Sequence, residues 1–138
     1  PYELTDPRIQ FAKIASETIK FLPKGDDEPG SGWFDKDAWR EQVSYPENPV
    51  RSIAELDALM AEMRAALPTL SVPTLLVHSR NDNYVPQNSM ENIYADLGTD
   101  DKEMLWVTES GHIIPREPAK AEVFAAATAF IRRLEGEN

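Results

Sequence analysis

The sequence predicts an α/β fold: a parallel βαβα unit preceded by a helical, loop-rich segment. Three observations carry that expectation. From about residue 68, short apolar runs alternate with amphipathic stretches in the order strand, helix, strand, helix. The runs Thr74–His78 and Met104–Val107 lack polar alternation, as strands covered on both faces do. The first part of the chain instead carries helical spacing broken by Pro and Gly. The expected division is residues 1–50, helical, and residues 51–138, the α/β part.

Asp6 and Pro7 read as N-cap and first residue of a helix with Ile9, Ala12, Ile14, Ala15 and Ile19 on its apolar face, stopped by Pro23 and Gly25. Lys24–Gly32 is rich in Asp, Pro and Gly and reads as an exposed loop. Trp33, Phe34 and Trp39 surround a short helix expected from about Asp37 to Tyr45. Pro46 and Pro49 break the chain again. Ser52 and Glu55 have the spacing of a capping box, opening a helix with Ile53, Leu56, Leu59, Met60, Met63 and Leu67 that Pro68 ends. A strand over 74–78 follows, then a polar loop, Ser79–Tyr84. Pro86 opens a helix carrying Met90, Ile93, Tyr94 and Leu97, closed by Gly98. The second strand covers about 103–107. A loop to Glu117 leads to a last helix, opened by Pro118, with Val123, Phe124, Ala127, Phe130, Ile131 and Leu134 on one face and Gly136 as its stop.

Composition narrows the function. With 41% hydrophobic residues the chain can build a core. Fourteen basic against 24 acidic residues leave a formal charge of −10, which repels phosphate backbones and anionic lipid. Nucleic acid is therefore not an expected partner. No apolar run approaches the roughly 20 residues of a membrane span. The absence of cysteine removes disulfides, thiolate metal sites and a cysteine nucleophile. With only two histidines and no metal-binding spacing, no metal is expected. Nothing fixes the compartment, and the cytoplasm is the default expectation.

Two loops stand out. Parallel strands place their C-terminal ends on one edge of the sheet, where ligands of open α/β sheets bind. The loops leaving that edge carry Asp82 and His112. If the strands are neighbours, about 4.8 Å apart, the two side chains can meet. A carboxylate on one imidazole nitrogen selects the tautomer that leaves the other nitrogen free as a base. Gly111 permits the tight turn or positive φ that aims such an imidazole over the edge. Alternatives stay open on these residues alone: a solvated loop histidine, Asp82 holding only its own Asx-turn, or Glu109 or Glu117 as the partner of His112. His78, at a strand end, reads as structural.

The stretch Val72-Pro-Thr-Leu-Leu-Val-His-Ser-Arg-Asn-Asp82-Asn-Tyr-Val-Pro86 resembles the acid-bearing strand and loop of α/β-hydrolase carboxylesterases and monoglyceride lipases. Ser110-Gly111-His112 resembles their histidine loop, and the match runs over residues 68–135. The resemblance implies the C-terminal portion of an α/β-hydrolase fold preceded by a helical cap over residues 1–50. It implies Asp82 as the acid and His112 as the general base of a catalytic triad, with Val85 and Ile113 flanking the substrate. Trp33, Phe34 and Trp39 then either line an acyl pocket from the cap or form the cap's own small core.

The family's nucleophile motif, Gly-x-Ser-x-Gly on a strand-to-helix turn, is not found; Gly30-Ser31-Gly32 lacks the spacing and follows no strand. The family's order of Ser, Asp and His puts the serine upstream of Pro1, on a missing or separate N-terminal piece that would be the chain's partner. The activity that the resemblance implies is hydrolysis of small carboxylic esters, for which no metal or organic cofactor is expected. Two alternatives remain at this stage: an aspartate nucleophile, as in haloalkane dehalogenases and epoxide hydrolases, or a non-catalytic binding protein on the same fold.

Overall fold

The structure, a computed structural model, describes residues 1–3, 9–24 and 30–136. The expected cap at Asp6 and Pro7, and Gly25, lie outside them. Four strands and five α-helices are described. A 3-10 turn at Ile9–Phe11 leads into α1 (Ala12–Ala15), which is shorter than its apolar spacing predicts. The Ser16 hydroxyl bonds the Lys13 carbonyl and that of Thr18 bonds the Ala15 carbonyl, and such local bonds compete with further helix. Ile19 therefore lies beyond the helix.

Two short strands follow that the prolines concealed. β1 (Phe21–Pro23) pairs antiparallel with β2 (Glu47–Pro49), Phe21 opposite Pro49. Proline is tolerated because a two-stranded ribbon consists only of edges. Between them α2 (Lys36–Arg40) starts at Asp35, whose carboxylate accepts from the amides of Asp37 and Ala38 at 3.0 and 2.9 Å. It ends well before Tyr45.

Helix α3 (Val50–Ala66) begins two residues before the expected capping box. Ser52 is therefore inside the helix, and Glu55 pairs instead with Arg51 at 3.2 Å, one turn back. Val50 is buried, and α3 packs against α1. Leu67–Thr69 tightens into a 3-10 turn at Pro68, as the proline dictates.

The second half follows the predicted order closely. β3 (Thr74–Ser79) and β4 (Lys102–Val107) pair in parallel, from Thr74 opposite Lys102 to Ser79 opposite Val107. The crossover is α4 (Asn88–Asp96). α5 (Lys120–Glu135) closes on Gly136, whose positive φ of 77° lets its amide reach the Arg132 and Arg133 carbonyls. Arg133 forks onto Asp101 at 2.7 and 3.1 Å, which lowers the Asp101 pKa and fixes the end of α5 beside the start of β4.

The compact core lies where the sheet meets the last helix: Val107, Ile114 and Ala119, with Val77, Leu105 and Val123 packed against them. The expectation that both strands are covered on both faces is not met within this chain. Leu75, Leu76 and Val77 are half-buried, and Met104 is exposed. Phe124, Ile131 and Leu134 on α5 are exposed as well. These apolar surfaces have no cover among the described residues.

Val107 is the most deeply buried apolar residue of this core, at 1% exposure. Val107→Ala is expected to cost about 2 kcal/mol of stability. Urea unfolding followed by circular dichroism reads it, and a change below ~0.5 kcal/mol would mean the core is not formed around Val107.

Candidate active site

The loops after β3 and β4 leave the same end of the sheet and are braced before they diverge. The Arg80 amide continues the ladder onto the Val107 carbonyl at 2.9 Å. Ser79 and Ser110 are both fully buried, and the Ser79 hydroxyl donates to the Ser110 carbonyl. Ser79 Oγ also accepts the Asn81 amide at 3.0 Å, and Ser110 Oγ accepts the Ala119 amide at 3.0 Å. Asn81 in turn takes the amide of Glu109 at 2.9 Å. Small hydroxyls here replace the backbone partners that the strands lose where they end.

On this frame Asp82 and His112 meet. The His112 Nδ1 lies 2.9 Å from Asp82 Oδ2. The other carboxylate oxygen, Oδ1, accepts the amides of Tyr84 at 2.8 Å and Val85 at 3.0 Å. The two sequence readings of Asp82 thus hold together: one oxygen makes the Asx-turn and the other takes the imidazole. The Asp82 side chain is 4% exposed and that of His112 is 46% exposed. Burial pushes the Asp82 pKa up, but the bonds from His112 and from the Val85 and Tyr84 amides outweigh it, and the carboxyl sits below its ordinary value. With Nδ1 on the carboxylate, His112 Nε2 is left to face a reactant. The Tyr84 ring lies against His112, centroids 5.6 Å apart and tilted 59°.

His78 is buried, as its strand-end position predicts, and it does more than pack. Its Nε2 lies 3.2 Å from the same Asp82 Oδ2. Of the other candidate partners of His112, Glu117 is engaged elsewhere, and Glu109 is exposed, its backbone amide on Asn81. Glu109 carries the one positive φ of a described non-glycine residue, 54°.

Glu117 is 1% exposed. Its Oε2 accepts the amides of Phe34 and Asp35 at 3.1 and 3.0 Å, and its Oε1 accepts the Gly111 amide at 3.2 Å. It therefore ties the first part of the chain to the histidine loop. Gly111 does not have the positive φ that its position suggests; the left-handed glycines nearby are Gly30 and Gly32. What Gly111 supplies is room, because a β-carbon there would stand 1.7 Å from the Gly32 carbonyl oxygen.

Trp33, Phe34 and Trp39 lie on the same junction. The Arg116 guanidinium sits 5.8 Å from the Trp33 ring centroid and donates to the Ala38 carbonyl at 2.9 Å. Trp33 and Trp39 are half-buried, with Trp39 beside Gly30, whereas Phe34 is exposed. Val85, three residues after Asp82, and Ile113, next to His112, are half-buried. Among the described residues no group of three His, Cys, Asp or Glu side chains is arranged to hold a metal ion. No described helix is long and apolar enough to cross a membrane. The sequence reading missed Ser79, Ser110 and Glu117 as site-building residues. The available signal was a hydroxyl, Ser79, at the end of an apolar strand.

Residues 36–119 match the protein family described as Serine aminopeptidase, S33. The chain is 28% identical over 95 residues to a carboxylesterase of Bacillus subtilis (strain 168), covering 69% of this chain and 39% of that one. It is 28% identical over 115 residues to a thermostable monoacylglycerol lipase of Bacillus sp. (strain H-257), covering 83% and 45%. A solved structure of a metagenome-derived lipolytic enzyme superposes with a TM-score of 0.78 at 28% identity, over 96% of this chain and 51% of that one. The chain thus spans less than half the length of these curated relatives, and its fold is a portion of an α/β-hydrolase, as the sequence predicts.

Two outcomes are expected from this geometry. Glu117→Gln can keep an amide oxygen on the Phe34 and Asp35 amides but turns an NH2 group toward the Gly111 N–H, so it is expected to cost ~2 kcal/mol; unchanged urea unfolding would show the clamp to be dispensable. The lowered Asp82 pKa stabilises the fold fully above the ordinary value of 3.8, and that contribution disappears as pH falls through the folded-state value. Stability followed by denaturant midpoint should therefore fall on acidification. Asp82→Asn should flatten part of that fall, with Asp101 supplying a separate part.

Proposed function

This chain belongs to the Serine aminopeptidase, S33, family, and on that premise we propose that it supplies the acid and base of a serine-type carboxylic ester hydrolase. The observation that carries the proposal is the 2.9 Å contact between His112 Nδ1 and the nearly buried Asp82 carboxylate, with the His112 side chain 46% exposed. That arrangement suits one role. His112 Nε2 takes the proton of a serine hydroxyl as the serine attacks the ester carbonyl, and then gives it to the leaving alcohol. Asp82 holds the tautomer and stabilises the imidazolium without taking the proton.

The serine belongs to this proposal and not to the described residues. The half-exposed apolar residues of β3 and β4, and the free strand edges beside them, are where the rest of the sheet would pack, including the strand that ends at the nucleophile. We assign residues 1–50 to the cap and residues 51–138 to the core. Val85, Ile113, Trp33, Phe34 and Trp39 are the residues that would border the acyl group. The substrate class is a small carboxylic ester, by analogy with the carboxylesterase and monoacylglycerol lipase relatives.

The test is fluorophosphonate labelling of the native sample, followed by denaturing intact-mass measurement and ester turnover. Label on a serine of a companion polypeptide is the expected result, with His112→Ala lowering turnover by at least ~1,000-fold. Turnover without any label would replace the serine by another nucleophile. Near-normal turnover in His112→Ala would remove His112 from the mechanism.

A further inference from the structure

The Asp82 carboxylate has two imidazoles on one oxygen. Oδ1 is occupied by the Tyr84 and Val85 amides. Oδ2 faces His112 Nδ1 at 2.9 Å and His78 Nε2 at 3.2 Å. An ionised carboxylate oxygen accepts two such bonds through its two lone pairs. We infer that His78 is a positioning residue, an N–H donor that locks the orientation of Asp82 and through it the tautomer of His112. The inference rests on the proposed role of the Asp82–His112 pair.

The physical reason lies in what holds each group. Bonds from Tyr84 and Val85 tie Oδ1 only to Asp82's own loop, and leave the carboxylate free to swing Oδ2. His112 cannot stop that motion, because its side chain is 46% exposed on a loop of its own. His78 can. It belongs to β3, opposite Trp106 on β4. Its ring stacks on the Trp106 indole with centroids 5.4 Å apart and planes at 25°. The Arg80 guanidinium lies 3.5 Å from the same indole's centroid. The sheet thus grips the indole, the indole grips His78, and the N–H of His78 fixes Oδ2. A frame of packed strands holds a side chain more sharply than a loop does.

The role requires His78 to carry its proton on Nε2, and His112 on Nδ1. Nitrogen-15 NMR of the imidazoles in the full 138-residue chain reads both. The chain has only two histidines, so every His78 variant leaves His112 as the one imidazole signal. His78→Gln keeps an N–H donor and loses the aromatic ring. His78→Phe keeps a ring to stack on Trp106 and loses the donor. The expected result is that His78→Gln preserves the Nδ1–H signature of His112, whereas His78→Phe brings the two ring nitrogen shifts together as tautomers mix. The reverse order, or equal spectra in both variants, would overturn the inference and leave His78 a packing residue. If neither variant folds, the unaltered chain decides: His78 protonated on Nδ1 has no proton to give and ends the proposal, and His78 protonated on Nε2 upholds it. None of these readouts depends on turnover, so failure here and failure of the hydrolase assignment are separable.

Discussion

The parallel pairing of β3 with β4 sets where two loops leave the sheet, and the Asp82 carboxylate closes the gap between them. The contacts between the two loops trace to that pairing. The register puts Ser79 opposite Val107, so the first residues of both loops begin level with one another. The buried Ser79 hydroxyl then stitches the loops at the Ser110 carbonyl, and the Ser110 hydroxyl takes the Ala119 amide just ahead of α5. Asp82 comes last, with one oxygen holding its own turn and the other facing imidazole. Slide the strands by one residue and the side chains change faces, so the pair would not form.

A second buried carboxylate does the corresponding work between the two parts of the chain. Glu117 gathers amides from residues 34 and 35 and from Gly111. A buried acceptor left without donors costs free energy, so this clamp is tight only when both segments are in place. The close approach of Gly32 to Gly111 and the bond from Arg116 to Ala38 lie on the same seam. The position of the histidine loop therefore depends on segments far away in sequence, which links the shape of the first part to the geometry of the base.

The surfaces left uncovered are as informative as the contacts made. A strand rich in Leu and Val gains little from an interior it does not have, yet Leu75 and Leu76 remain half-exposed. The chain spans less than half the length of the carboxylesterase and monoacylglycerol lipase it resembles. Both facts bear on the proposal that the serine lies outside the described residues.

The order of elements from residue 68 onward was legible in the sequence because period and length separate strands from helices there, and Pro68 and Gly136 punctuate them. Asp82 and His112 were legible as candidates because strand order alone places their loops on one edge. The ribbon of β1 and β2 was not legible, since Pro23, Pro46 and Pro49 signal breaks, and only an isolated edge pairing makes them acceptable. The start of α3 was misplaced because a capping-box pattern is local, whereas the helix begins at Val50, whose side chain is buried and whose amide bonds the Lys20 carbonyl at 3.0 Å. His78 on Asp82, and Glu117 on the distant amides, were beyond any reading by spacing. Local pattern determined which residues lie on strands and which on loops. Which polar groups satisfy one another across those loops is a three-dimensional accounting of buried donors and acceptors, and only the tertiary structure decided it.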